Sequence, residues 1–166
     1  LVQKPLEKTK IIELFGKLLG AEQQAKSKYS EIEKNYNELK NIASKTKEKP
    51  EVLVNEIYGS QWFLPGGKTF VAEYIHDANA QYFLKNNTEE KAVPMSFEEV
   101  FAKSETVKYW INVGNHQAKN ELLAINPNYS KMKVFNYGKL YTVGGKEKGK
   151  ANDFFELIKL KDTSMW

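Results

Sequence analysis

The sequence predicts an α/β lobe of three layers, with a mainly parallel central sheet between helices and long helices ahead of it. Three observations lead there. Residues 1–47 carry only helical periodicity. From residue 48 on, short apolar runs alternate with helical patterns, which argues a parallel sheet with helices on its faces. The first of those runs is apolar throughout, as a strand buried on both faces is. The division is therefore 1–47 for the helices and 48–166 for the α/β lobe.

Ile11, Leu14, Phe15, Leu18 and Leu19 recur at helical spacing, and Gly20 supplies a C-cap. A second helix is predicted over 21–47. Its seam of Ala25, Tyr29, Ile32, Tyr36, Leu39 and Ala43 sets one stripe against a partner. So short a seam, with two tyrosines in it, suits packing on a sheet better than a coiled coil. After a charged connection at 45–50, Val52, Leu53, Val54 and Ile57 mark a buried strand over 51–57. Residues 58–62 form a loop at its C-terminal end, and Pro65-Gly66-Gly67 is a turn. A helix is predicted over 69–77, with Phe70, Val71, Tyr74 and Ile75 apolar. Tyr82-Phe83-Leu84 is a short strand, and 86–91 is polar and exposed. Ser96 with Glu99 three residues on is a capping box, opening a helix that ends near Lys103. A strand over 109–113 closes at Gly114. A helix over 118–124, a turn at Asn126-Pro127, a strand over 139–143, a Gly/Lys loop over 144–150 and a helix over 153–160 complete the chain. In such sheets ligands sit beyond the C-terminal ends of the strands. The loops 58–62, 114–117 and 144–152 fall there.

Composition narrows the function classes. A chain of 166 residues supports one core, and nine Tyr, nine Phe and three Trp give it enough apolar area to fold. No apolar run is long enough to span a bilayer. No signal peptide is present and Leu1 opens in helical character, which fits a processed or trimmed product and leaves the compartment open. Without cysteine there are no disulfides, no thiolate catalysis and no cysteine metal sites. The net charge of +4 is mild, and the lysines interleave with glutamates as on a solvated surface. Nucleic acid is not the expected partner.

Candidate chemistry is sparse. His76 and His116 lie far apart with no metal-ligand spacing around them, so they read as surface or half-buried histidines and no metal site is expected. No serine sits in a nucleophile elbow. Pro65-Gly66-Gly67-Lys68-Thr69 lacks the first glycine of a phosphate loop, and a turn with Thr69 opening a helix explains it. Glu98 and Glu99 are adjacent on a helix and do not face one site. No residue is nominated as catalytic, no resident cofactor is expected, and the chain reads as a non-enzyme. The aromatics say more. Tyr58 and Trp62 flank one strand-end loop, and Phe154 and Phe155 follow another. Two such clusters at one sheet edge suggest a shallow binding surface, since rings give contact area with little side-chain entropy to lose.

Four segments in order carry a resemblance. They are 54–67, ending Gly59-Ser60-Gln61-Trp62-Phe63-Leu64-Pro65-Gly66-Gly67; Met95-Ser96-Phe97-Glu98-Glu99-Val100 followed by Val107-Lys108-Tyr109-Trp110-Ile111; 135–143; and Ala151-Asn152-Asp153-Phe154-Phe155-Glu156. Together they resemble ABC-transporter solute-binding proteins of the iron-siderophore, haem and cobalamin type. That family has two α/β lobes joined by a rigid connector helix, with ligand held in the cleft between them. The resemblance implies that 1–47 supply connector helices and 48–166 the C-terminal lobe, with the N-terminal lobe absent. It implies an iron chelate, haem or cobalamin as ligand, faced by Tyr58, Gln61, Trp62, Asn152 and Phe155. It implies that Glu98 docks on arginines of the ABC permease's transmembrane subunits. It also implies an exported protein, periplasmic or associated with the cell envelope, whose full-length form has room for a lipid anchor. After Glu156 the chain departs from the family pattern, because Leu157-Ile158-Lys159-Leu160 arrives too soon for the end of the terminal helix. The alternative is a non-catalytic interaction or dimerisation domain that uses its long helices and an exposed sheet face.

Overall fold

The computed structural model describes residues 4–142 and, beyond them, residues 147–148, 151–152 and 158–159. Three helices come first: α1 (Pro5–Thr9), α2 (Ile11–Leu18) and α3 (Glu22–Ser44). Gly20, at φ 66°, turns the chain between α2 and α3 in a left-handed conformation that suits glycine. Gly16 lies against Ala25, and its missing Cβ lets the two helices approach. Here α3 ends three residues short of the predicted 47.

The lobe follows: β1 (Glu51–Val54), β2 (Ile57–Tyr58), β3 (Gln61–Leu64), α4 (Phe70–Asp77), β4 (Gln81–Tyr82), β5 (Val93–Met95), α5 (Phe97–Lys103) and β6 (Val107–Ile111). Then come α6 (Lys119–Ile125), a 3-10 turn (Pro127–Lys131), α7 (Lys133–Tyr137), β7 (Lys139–Thr142), β8 (Glu147–Lys148), β9 (Ala151–Asn152) and β10 (Ile158–Lys159). The central sheet runs β4-β1-β6-β7-β10. Its first four strands are parallel, and β10 pairs antiparallel to β7 at the edge. This is the predicted α/β class, and β1 is buried along its whole length.

Several local expectations change. The strand predicted over 51–57 stops at Val54, and residues 57–64 fold as the hairpin β2–β3 where a loop was predicted. β5 was not anticipated; it joins β3 to make a second sheet, β2-β3-β5. Phe135, placed near the start of a strand by the resemblance, lies in α7, and the strand begins only at Lys139. Of the helix predicted over 153–160, residues 158–159 are strand and the rest lies outside the described residues.

The core centres on three rings. Trp110 and Tyr129 meet at 5.0 Å between centroids, Trp62 and Trp110 at 5.4 Å, and Trp62 and Tyr129 at 5.8 Å. All three side chains are fully buried, so each polar tip needs a partner. Trp62 Nε1 donates to Val54 O at 3.0 Å, and Trp110 Nε1 to Asn55 O at 2.5 Å. The Ile57 N–H donates to the Tyr129 hydroxyl at 2.9 Å. Burial pushes the Tyr129 hydroxyl's pKa up, although the bond from Ile57 opposes the rise. All three bonds land on residues 54–57, where the chain leaves β1. The core thus fixes the backbone that carries the site.

Candidate functional site

Strand order places the crevice. β4 lies on one side of β1 and β6 on the other, so the connections leave β1 and return to β6 in opposite directions. At such a switch point the C-terminal ends of two neighbouring parallel strands leave an opening. Val54 and Ile111 are register partners, so β1 and β6 end level.

The next residue of each strand is an asparagine in the left-handed region, Asn55 at φ 65° and Asn112 at φ 56°. Asparagine tolerates this conformation better than most side chains. Asn112 Nδ2 donates to Asn55 Oδ1 at 2.6 Å, and Asn55 Nδ2 donates to Phe63 O at 2.8 Å. The two amides thereby tie both strand ends to the hairpin.

The hairpin has two faces. Tyr58 pairs with Gln61 and Ile57 with Trp62. Side chains alternate across a strand, so Trp62 and Leu64 point into the core while Gln61 and Phe63 point out. Tyr58 is 82% exposed. Phe63 pairs with Pro94 of β5, which is also exposed. The outer face is therefore a strip of Tyr58, Gln61, Phe63 and Pro94.

Beyond the strand ends, His116 Nε2 stands 2.7 Å from Glu56 Oε2, and His116 Nδ1 stands 3.6 Å from Glu121 Oε2. The His116 N–H donates to Thr142 Oγ1 at 3.2 Å, and the Thr142 hydroxyl donates to Gly114 O. These bonds hold the 114–117 loop against the end of β7.

Tyr58 and Gln61 stand opposite each other across the hairpin. Trp62 is a correction: its indole is fully buried and hydrogen-bonded to β1, so it cannot touch a ligand and serves the core. Asn152 lies in β9, paired with Glu147 of β8. Phe155 lies outside the described residues. Glu98 is exposed on the first turn of α5. Its neighbour Glu99 completes the capping box, accepting from Ser96 N–H at 2.7 Å, while Glu99 N–H donates to Ser96 Oγ at 3.2 Å. Those bonds hold the Glu99 carboxyl below its usual pKa. Sequence reasoning missed Phe63, Pro94 and the Glu56–His116 pair. The available signal was an asparagine closing each of two apolar strands, at Asn55 and Asn112, with Glu56 and His116 just beyond.

A family model for periplasmic binding proteins matches residues 6–146. The chain belongs to the periplasmic binding protein family. A possible iron-binding (periplasmic solute-binding) protein from Staphylococcus epidermidis superposes with TM-score 0.63 at 18% identity, over 82% of this chain and 52% of that one. A periplasmic haem-binding protein from Pseudomonas aeruginosa superposes with TM-score 0.61 at 20% identity, over 84% and 52%. An uncharacterised lipoprotein of Methanocaldococcus jannaschii is 24% identical over 160 residues, which is 95% of this chain and 36% of that protein. The chain thus spans about half the length of these solved relatives and about a third of the lipoprotein. The strand-end crevice lies at a topological switch point, where open α/β sheets take ligands in general. Among the described residues no helix is long and apolar enough to cross a membrane.

Proposed function

We propose that this chain is the C-terminal lobe of a solute-binding protein that captures a metal chelate in an interlobe cleft and presents it to an ABC importer. The chelate is a ferric siderophore, haem or cobalamin, and the protein performs no chemistry on it. The observation that carries this reading is the outer face of the β2–β3 hairpin, where Tyr58, Gln61 and Phe63 stand exposed beside the switch-point crevice. Exposed rings next to an amide suit a large, flat or ring-bearing ligand, which they stack on and orient. Asn152 and Phe155 would add to this face from the segment after β7. Glu98, exposed at the start of α5, is the docking carboxylate, because pairing with a permease arginine is directional. The names of the iron- and haem-binding relatives support the choice of cargo. The compartment that goes with it is the periplasm or cell envelope, with a lipid anchor on the full-length form.

The test is a titration of the full-length protein with haem, cobalamin and ferric siderophores, followed by intrinsic fluorescence. Saturable quenching by one of them, weakened at least tenfold by Tyr58→Ala with the melting temperature unchanged, is the expected result. No binding of any of the three would remove the chelate and leave a broader solute-binding role.

A second reading rests on α2, whose Ile11, Leu14, Phe15 and Leu18 stand exposed in one stripe. A stripe of that size suits self-association. A molar mass that rises with concentration and falls back in Phe15→Ser would favour it.

A further inference from the structure

We infer that Glu56 and His116 form a binding site for a divalent first-row transition metal ion, taken directly and not inside a chelate. A carboxylate oxygen and an imidazole nitrogen are ordinary donors for zinc, nickel or cobalt. Here Glu56 Oε2 and His116 Nε2 stand 2.7 Å apart, brought together from the ends of β1 and β6. An ion with bonds of about 2.0–2.1 Å sits between donors roughly 3 Å apart, so a small side-chain rotation admits it. The ion takes the place of the proton that now lies between the two atoms, and that proton goes to solvent.

The pair is held in a built cradle. Gly114 lies beneath it at φ 56°, and a Cβ there would collide with the Glu56 carboxylate and stand 2.8 Å from His116 Nε2. The loop is pinned on its other side by the Thr142 hydroxyl, which donates to Gly114 O and accepts from the His116 N–H. Glu121 stands behind the ring at Nδ1 and also accepts from the Gln117 N–H at 3.0 Å. Its Oε2 lies 3.6 Å from Nδ1, too long for a hydrogen bond but on the side of the ring where outer carboxylates stand at metal-binding histidines. The side chains of His116 and Glu56 are 14% and 24% exposed, so the pair is largely withdrawn from water yet open on one side. That side leaves coordination positions for water.

A second histidine cluster serves as an internal contrast. Glu73, His76 and Asp77 on α4 bring three donor atoms within 4.8 Å of one another. Asp77, however, is already held by Lys40 at 2.5 Å and Tyr36 at 2.6 Å. A cation there would have to displace an ammonium group.

The site does not depend on the chelate reading, and the two fail separately. Full-length protein is titrated with cobalt, nickel and zinc chlorides by calorimetry, with the visible absorption of cobalt as a second readout. One ion per chain is expected. His116→Ala should weaken it at least a hundredfold, Glu56→Gln about tenfold, and His76→Ala less than twofold. Gly114→Ala should weaken it as well, and circular dichroism reports whether each variant keeps its fold. Absence of binding by all three ions overturns the inference, as does binding that persists in both His116→Ala and Glu56→Gln. Chelate binding without free-ion binding would sink this site and leave the proposed function standing.

Discussion

The helical arm and the sheet lobe treat the same residue types in opposite ways. In the lobe, Leu53, Leu64 and Leu122 are wholly buried. In the arm, Leu18 and Leu19 are 71% and 78% exposed. The lobe's core residues come from many elements that close on each other, with no residue of the arm in that cluster. In the arm, α2 and α3 touch through Gly16 and Ala25, and the apolar stripe of α2 stays exposed. The core of the described residues thus lies in the lobe, while the arm keeps an apolar stripe on its surface.

The joint between the two is polar. Tyr36 of α3 donates to Asp77 Oδ2 of α4 at 2.6 Å, and Lys40 Nζ reaches Asp77 Oδ1 at 2.5 Å. Tyr36 and Tyr74 also approach to 6.0 Å between ring centroids. Burial would raise the Asp77 carboxyl, but the bonds from Lys40 and Tyr36 and the nearby positive charge outweigh it and hold it below its usual pKa.

This contrast can be broken from the lobe side first. Trp62→Ala removes a fully buried ring and should cost about 3–5 kcal/mol in denaturant unfolding. The loss should be one of fold, seen equally with and without ligand. Next comes the joint: Asp77→Asn should cost roughly 1–3 kcal/mol at neutral pH. Because the folded carboxyl titrates below its unfolded value of 3.8, its contribution is present above that pH and fades as pH falls through the folded pKa. Melts from pH 7 to pH 2 should therefore bring variant and parent together at the acid end. A smaller effect is expected within the arm. Gly16→Ala puts a Cβ into Ala25, an overpacking cost of about 1–3 kcal/mol, set against about 1 kcal/mol of gained helix propensity. Limited proteolysis should show earlier cleavage in the arm while the lobe's transition holds its midpoint. Smallest of all, Leu18→Ser should change lobe stability by less than about 0.5 kcal/mol. A large loss there would mean that the stripe is already covered.

What was legible in the sequence follows from how local each signal is. The capping box at Ser96 and Glu99 is read from four residues and forms as predicted. The alternation of strand and helix gave the parallel sheet because each apolar run carries its own burial. The faces of 61–64 were not legible: Gln61, Trp62, Phe63 and Leu64 include three large apolar residues in a row, so composition hides the alternation that the pleat imposes. β5 contains Pro94, which argues against a strand, yet it sits at the edge of the small sheet where a missing N–H is tolerated. Glu56 and His116 are sixty positions apart, and only the pairing of β1 with β6 brings them together.

The pleat of β3 has a consequence for how the protein can change over time. Stability is assigned to one set of residues, Ile57, Trp62 and Leu64, and surface chemistry to the interleaved set, Tyr58, Gln61 and Phe63. Replacing the second set leaves the first in place, so the outward chemistry of this hairpin can change in a lineage without rebuilding the lobe beneath it.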